Sequence, residues 1–223
     1  MRIINVEQGS PEWLRARLGI PTASEFDQII TPAKLTPSAS QAKYRARLVA
    51  EKFLGHSLDE SGSGFMDRGT HMEAEAVAWF EFETGLTASK CGLCVLDDWS
   101  AGASPDRLIG SDGVLEIKCP AALTHMQYLL DGFDDYRLQV QGQLWVTGCQ
   151  FAYQLSYHPS IPCVLRRVER DPKVMEALDK HIPEFVRSLA VARERLAVGG
   201  VTRSAADAPN KQARGQTAAA TGT

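Results

Sequence analysis

Apolar residues recur along this chain with two different periods, and the exchange between them predicts a mixed α/β fold. Ser10-Pro11-Glu12-Trp13 opens a short helix, with Ser10 as N-cap and Pro11 at the first helical position, and Gly19 closes it. Thr22-Ala23-Ser24-Glu25 fits the T-x-x-E capping box and predicts a second helix start. Pro and Ser make residues 32–42 a loop. Residues 43–53 carry Tyr44, Leu48 and Val49 at helical spacing, and 67–84 read as a long helix ended by Gly85. The period then shortens. Strands are predicted over 92–96, 102–105 and 113–119, followed by helices over 124–130 and 136–146. Alternating Phe151, Tyr153, Leu155 and Tyr157 predict a strand over 150–158, with another over 163–169 and a final helix over 172–196.

Composition sets limits on this picture. A hydrophobic content of 44% suits a chain that buries a core. The stretch 201–223 has no aromatic residue and no Leu or Ile, so the expected folded unit is 1–198, with 199–223 a disordered tail. No apolar run reaches the ~20 residues of a membrane span, and Met1-Arg2-Ile3-Ile4 opens no signal peptide; a cytoplasmic protein is expected. Five cysteines fit reduced thiols, and Cys91–Cys94 has no second pair to complete a metal site, so both read as buried strand residues. A net charge of −3 does not announce a nucleic-acid binder, but a basic patch matters more than the total.

Two charged residues change the reading. Glu116 and Lys118 share a face with Val114 on the 113–119 strand, while Leu115, Ile117 and Cys119 take the other. On an edge strand that face would simply be solvated. Asp106 alters the weighing, because Gly110-Ser111-Asp112-Gly113 is turn chemistry that can bring it back beside Glu116. Two adjacent carboxylates repel unless a cation sits between them, and oxygen ligands suit Mg²⁺. Lys118 would orient or help deprotonate a water attacking phosphorus, and the Ile117 carbonyl is a further ligand. On the preceding helix Glu73 begins the largely apolar row Glu73, Val77, Phe80, Thr84, with Glu75 as its competitor on another face. At the chain's start, Ser24 would lie in the first turn of a capped helix, where an anion is favoured, and Arg17 has the donors to grip a phosphate. Without further context Ser24 as a cap and Arg17 as a surface ion pair are the simpler roles. Trp13 and Trp145 read as core.

Asp106…Glu116-Ile117-Lys118 is a PD-(D/E)xK arrangement and resembles the restriction-endonuclease-like nucleases. Several ordered segments narrow this further. Trp13–Gly19 with Thr22-Ala23-Ser24, then RGTHMEAEAVAWFEFETG, SPDRL, LEIKCP, LQVQGQLWVTG and PEFVRS resemble the YqaJ-type viral recombinase family over about 13–196. The resemblance implies a restriction-endonuclease-like fold with a central mixed sheet flanked by helices. It implies Glu73, Asp106, Glu116 and the Ile117 carbonyl as metal ligands and Lys118 as the catalytic lysine. Arg17, Ser24, Ser104 and Gln139 would form the pocket for the 5′-phosphate. The implied activity is a Mg²⁺-dependent 5′→3′ exonuclease on linear double-stranded DNA, with Mn²⁺ as a substitute ion, releasing 5′-mononucleotides and leaving 3′ overhangs. A ring-shaped homotrimer, a single-strand annealing protein as partner and a phage or prophage origin are also implied. The rival readings are another PD-(D/E)xK endonuclease or single-strand nuclease, and a non-catalytic DNA-binding module. One departure stands out: Arg107 replaces the family's glycine after the motif aspartate.

Overall fold

The computed structural model describes residues 1–58 and 63–198, without the side chains of 63–71 and 198. The predicted tail at 199–223 lies outside these residues. Five strands, β2 (Ala88–Lys90), β5 (Arg107–Ile109), β6 (Gly113–Lys118), β7 (Phe151–His158) and β8 (Ile161–Glu169), form the principal sheet in the order β2-β5-β6-β7-β8. Its β6–β7 pair is parallel and the rest antiparallel, so the sheet is mixed. A smaller sheet has the order β1-β3-β4, from β1 (Arg2–Ile4), β3 (Leu93–Val95) and β4 (Gly102–Ala103).

Parallel pairing of β6 and β7 requires a crossover, and α4 (Ala122–Asp131) with α5 (Arg137–Thr147) supplies it. Helix α5 lies on one face of the sheet, where Val114 joins a core with Leu138, Val140, Leu144 and Ala152. On the other face Leu115 and Ile117 pack with Ala76 and Phe80 of α3 (Ser63–Thr84). The central strand β6 is thus covered on both sides, which is why five of its six residues are buried. A charge on that strand does not face open solvent.

Helix α1 (Pro11–Arg17) starts as its sequence predicts, with Ser10 Oγ accepting from the Trp13 amide. The next segment departs from prediction. Ala23–Gln28 is a 3₁₀ helix, and Glu25 leaves helical geometry at φ −126°. Thr22 makes no capping bond; its hydroxyl turns to Arg17 and Ser24, and Glu25 pairs with Arg47. Those partners outcompete the reciprocal bonds of a capping box. The anion argument from a capped α-helix therefore does not apply to Ser24.

Gly142 lets this segment sit against α5. A Cβ there would meet the Phe26 ring at 2.7 Å, and Phe26 is fully buried. Farther along, α2 (Gln41–Leu54) and α6 (Pro172–Val198) meet through stacked Tyr44 and Phe185, centroids 5.5 Å apart. The short strands β1, β2 and β5 lay below the resolution of periodicity, since three residues cannot display an alternation.

Candidate active site

The β5–β6 hairpin builds the acidic half of the site. Gly110 turns it at φ +56°, and Arg107 pairs with Leu115, so the register carried one residue further sets Asp106 opposite Glu116. The Ile117 amide donates to Asp106 Oδ2 at 2.6 Å, fixing the carboxyl against the neighbouring strand. Upstream, Gln8 Nε2 donates to the carbonyls of Pro105 and Cys91 at 2.8 and 2.9 Å, which anchors the approach to Asp106.

Glu116 is 2% exposed, and both of its carboxylate oxygens have partners. Its Oε1 accepts from Gln139 Nε2 at 2.6 Å and pairs with Lys118 Nζ at 2.7 Å, and its Oε2 accepts from Gln143 Nε2. The Lys118 ammonium also lies over the Tyr136 ring, 4.4 Å from its centroid. Burial alone would lower the Lys118 pKa, but Glu116, Asp106 and Tyr136 hold it above its ordinary value. The geometry thus holds the Lys118 Nζ as a donor to Glu116, above the Tyr136 ring. Asp106 is raised as well, but here burial works in the same direction: burial, then the charges of Glu116 and Glu73, push its carboxyl well above the usual range against the Ile117 amide and Lys118.

Glu73 reaches the site from the α3 side. Its Oε1 pairs with Arg107 Nη1 at 2.6 Å, and Arg107 also donates to the Asp106 carbonyl at 2.6 Å. The competitor Glu75 instead accepts from Tyr157 at 3.3 Å. Among the described residues, no three His, Cys, Asp or Glu side chains stand close enough to hold an ion as placed. The carboxylates of Glu73, Asp106 and Glu116 are nevertheless the oxygen donors a hard divalent cation takes, and burial with the Glu116 charge leaves Asp106 in need of a cation.

The second half of the site gathers α1, the 3₁₀ helix and β4. Arg17 Nη2 donates to Thr22 Oγ1 at 3.0 Å and lies 3.5 Å from Ser24 Oγ, with the two hydroxyls 3.3 Å apart. Its guanidinium covers the Trp13 ring at 4.0 Å. Trp13 Nε1 donates to Ser104 Oγ at 2.9 Å, two residues before Asp106. Arg17, Ser24 and Ser104 thus belong to one network, and Trp13, read from sequence as core, is its hub. Gln139 stands apart from that network, bonded to Glu116. Beside Arg17 opens a cavity of about 630 Å³ lined by Trp13, Leu18, Ile20, Thr22 and Leu48.

Sequence reasoning missed Gln143. The signal was present: α5 reads RLQVQGQLWVT, three glutamines at alternate positions in a helix with no acidic residue and one arginine. Gln141 and Gln143 are both 1% exposed, and a buried amide demands a partner. Cys91 and Cys94 are buried as expected, with their sulfurs 3.4 Å apart.

The model of the YqaJ-like viral recombinase domain matches residues 12–150. Among solved structures, the chain is similar to the alkaline exonuclease LHK-Exo of Laribacter hongkongensis, at 32% identity and TM-score 0.74, covering 85% of this chain and 97% of that one. The structure of LHK-Exo in complex with dAMP gives 33% identity and TM-score 0.75 over the same shares. A phage-related exonuclease from Haemophilus somnus 129PT, at 14% identity and TM-score 0.60, covers 80% of this chain and 95% of its own and shares the fold. No curated protein matches.

Proposed function

The chain belongs to the YqaJ-like viral recombinase family, and from that premise we propose that it is a Mg²⁺-dependent 5′→3′ exonuclease acting on the ends of linear double-stranded DNA. The observation that carries this reading is the Trp13–Ser104 hydrogen bond, which ties the Arg17 cluster to the chain segment that delivers Asp106. A site that grips a terminal phosphate and a site that hydrolyses the next bond must lie a nucleotide apart. Arg17 supplies charge-assisted donors for the phosphate, and the Ser24 and Ser104 hydroxyls supply neutral ones. Gln139, bonded to Glu116, would reach the phosphate only from the acidic side.

Asp106, Glu116 and the Ile117 carbonyl would hold the ion, with Mn²⁺ as a substitute, and Glu73 would join by exchanging Arg107 for it. When bound, the ion supplies stabilisation of the charge on the phosphoryl oxygens and leaving oxygen and lowers the pKa of water. Lys118, anchored between Glu116 and Tyr136, donates to and orients the attacking water or a phosphate oxygen. The two glutamines bonded to Glu116 hold that corner in one geometry, which an in-line displacement would need.

Family membership also supports a ring-shaped homotrimer, a single-strand annealing protein as partner and a phage or prophage setting in the bacterial cytoplasm. No helix among the described residues is long and apolar enough to cross a membrane. A mass of three chains by light scattering is expected; a mass of one chain contradicts the ring. To test the activity, a linear duplex is labelled at either terminus of one strand and incubated with Mg²⁺. Release of 5′-mononucleotides beginning at the 5′ label is expected. Release beginning at the 3′ label, or cutting of closed circles, overturns the assignment.

A further inference from the structure

We propose that Gln143 is a positioning residue that sets the plane of the Glu116 carboxylate and thereby the affinity of the site for its divalent cation. The proposal rests on the reading of Glu116 as a metal ligand. Its ground is the way hydrogen bonds are distributed over the two carboxylate oxygens. Oε1 has two partners, Gln139 and Lys118, whereas Gln143 is the one donor to Oε2 among the described residues.

A carboxylate accepts only, so the Gln143 amide must turn its nitrogen toward Glu116 and its oxygen away. That orientation leaves Gln143 Oε1 buried without a partner. Across the parallel pair of β6 and β7, Gln154 stands in register with Glu116, and its Nε2 is likewise buried and unpaired. Two buried amide atoms without partners, one on the residue that bonds Glu116 and one on the residue in register with it, are a cost that packing alone would not select. Packing alone would favour a leucine or methionine at position 143, which is 1% exposed beside Leu144 and Gly142.

The physical action is a torsional one. The terminal bond of a glutamate side chain has a broad two-fold profile, so nothing intrinsic holds the carboxylate plane. The two donors on Oε1 fix one oxygen in position but leave rotation about it cheap. The bond from Gln143 to Oε2 removes that freedom and aims the remaining lone pairs of Glu116 in one direction. Loss of Gln139 leaves Lys118 on Oε1, whereas loss of Gln143 leaves Oε2 with nothing. The two glutamines occupy successive turns of one helix and touch the same side chain, yet they are unequal.

Calorimetric titration of the full chain with Mn²⁺ alone, without DNA, tests this, paired with thermal denaturation. Gln143→Met keeps shape and removes the donor; Gln143→Asn keeps an amide and withdraws it by one methylene. Both are expected to weaken Mn²⁺ binding about 10-fold or more, with melting temperature within about 3 °C of the parent. Gln139→Met is expected to weaken it less. Glu116→Gln is the reference and should lose binding most. If Gln143→Met binds Mn²⁺ like the parent while Glu116→Gln does not, or if both Gln143 variants fail to fold, Gln143 is a packing residue and the proposal falls. If Glu116→Gln itself binds like the parent, the metal-ligand reading fails and takes the proposal with it.

Discussion

The two halves of the candidate site are held in place by different means. Around Asp106, Glu116 and Lys118 the positions follow from strand register: a turn at Gly110, antiparallel pairing to β5 and parallel pairing to β7 leave little freedom. Around Arg17, Ser24 and Ser104 no ladder operates. These residues come from a helix end, a 3₁₀ segment and the loop after β4, and side-chain contacts through Trp13 and Thr22 assemble them. The first half is fixed by register around a buried Glu116, with Asp106 and Lys118 half-buried; the second is partly open and adjustable. That division suits a site in which chemistry needs a fixed geometry while the end of a polymer must enter and leave.

The comparison is broken most severely on the buried side. Lys118→Ala is expected to reduce turnover about 10³-fold while DNA binding persists, as read by hydrolysis rates and by binding in EDTA. Full activity in that variant would contradict the mechanism. Removing the divalent ion with EDTA should abolish hydrolysis, with recovery on adding Mg²⁺ or Mn²⁺. On the open side, Arg17→Ala should slow digestion of 5′-phosphorylated ends roughly 10- to 100-fold through loss of charge-assisted bonds, and leave 5′-hydroxyl ends nearly unaffected.

A smaller effect separates contact from assembly. Trp13→Phe keeps a ring beneath Arg17 but removes the donor to Ser104, and should cost about five-fold in the preference for phosphorylated ends. A drop as large as that of Arg17→Ala would show that Trp13 holds the whole cluster. The smallest expected change concerns Arg107, which grips Glu73. Arg107→Ala should lower the Mg²⁺ concentration for half-maximal rate by roughly two- to four-fold, since a part-buried ion pair is a modest competitor. A rise in the Mg²⁺ requirement would instead make Arg107 a support of the site.

The same division governs what the sequence could reveal. Alternation on 113–119 placed Glu116 and Lys118 on one face, and Gly110-Ser111-Asp112-Gly113 announced the hairpin that returns Asp106. Register has period two and leaves a readable trace. The Arg17 cluster left only weak local signs at Arg17 and Ser24, because its members are drawn together by tertiary contacts, and the family pattern was needed to group them with Ser104. Thr22-Ala23-Ser24-Glu25 carried a local signal that tertiary partners overrode, Glu25 being taken by Arg47. Gln143 was missed because a glutamine on a helix reads as surface until α5 is seen to be buried. The Arg107–Glu73 pair was invisible for a related reason: it joins elements far apart in the chain.

The central claim is that an end-gripping cluster works beside a hydrolytic centre, and one measurement addresses it directly. Initial rates are compared on otherwise identical linear duplexes bearing a 5′-phosphate or a 5′-hydroxyl, with Mg²⁺, for the parent chain and Arg17→Ala. A strong preference for the phosphorylated end in the parent, collapsing toward equal rates in the variant, is the expected result. Equal rates on both ends in the parent, or a preference unchanged by Arg17→Ala, would contradict the account.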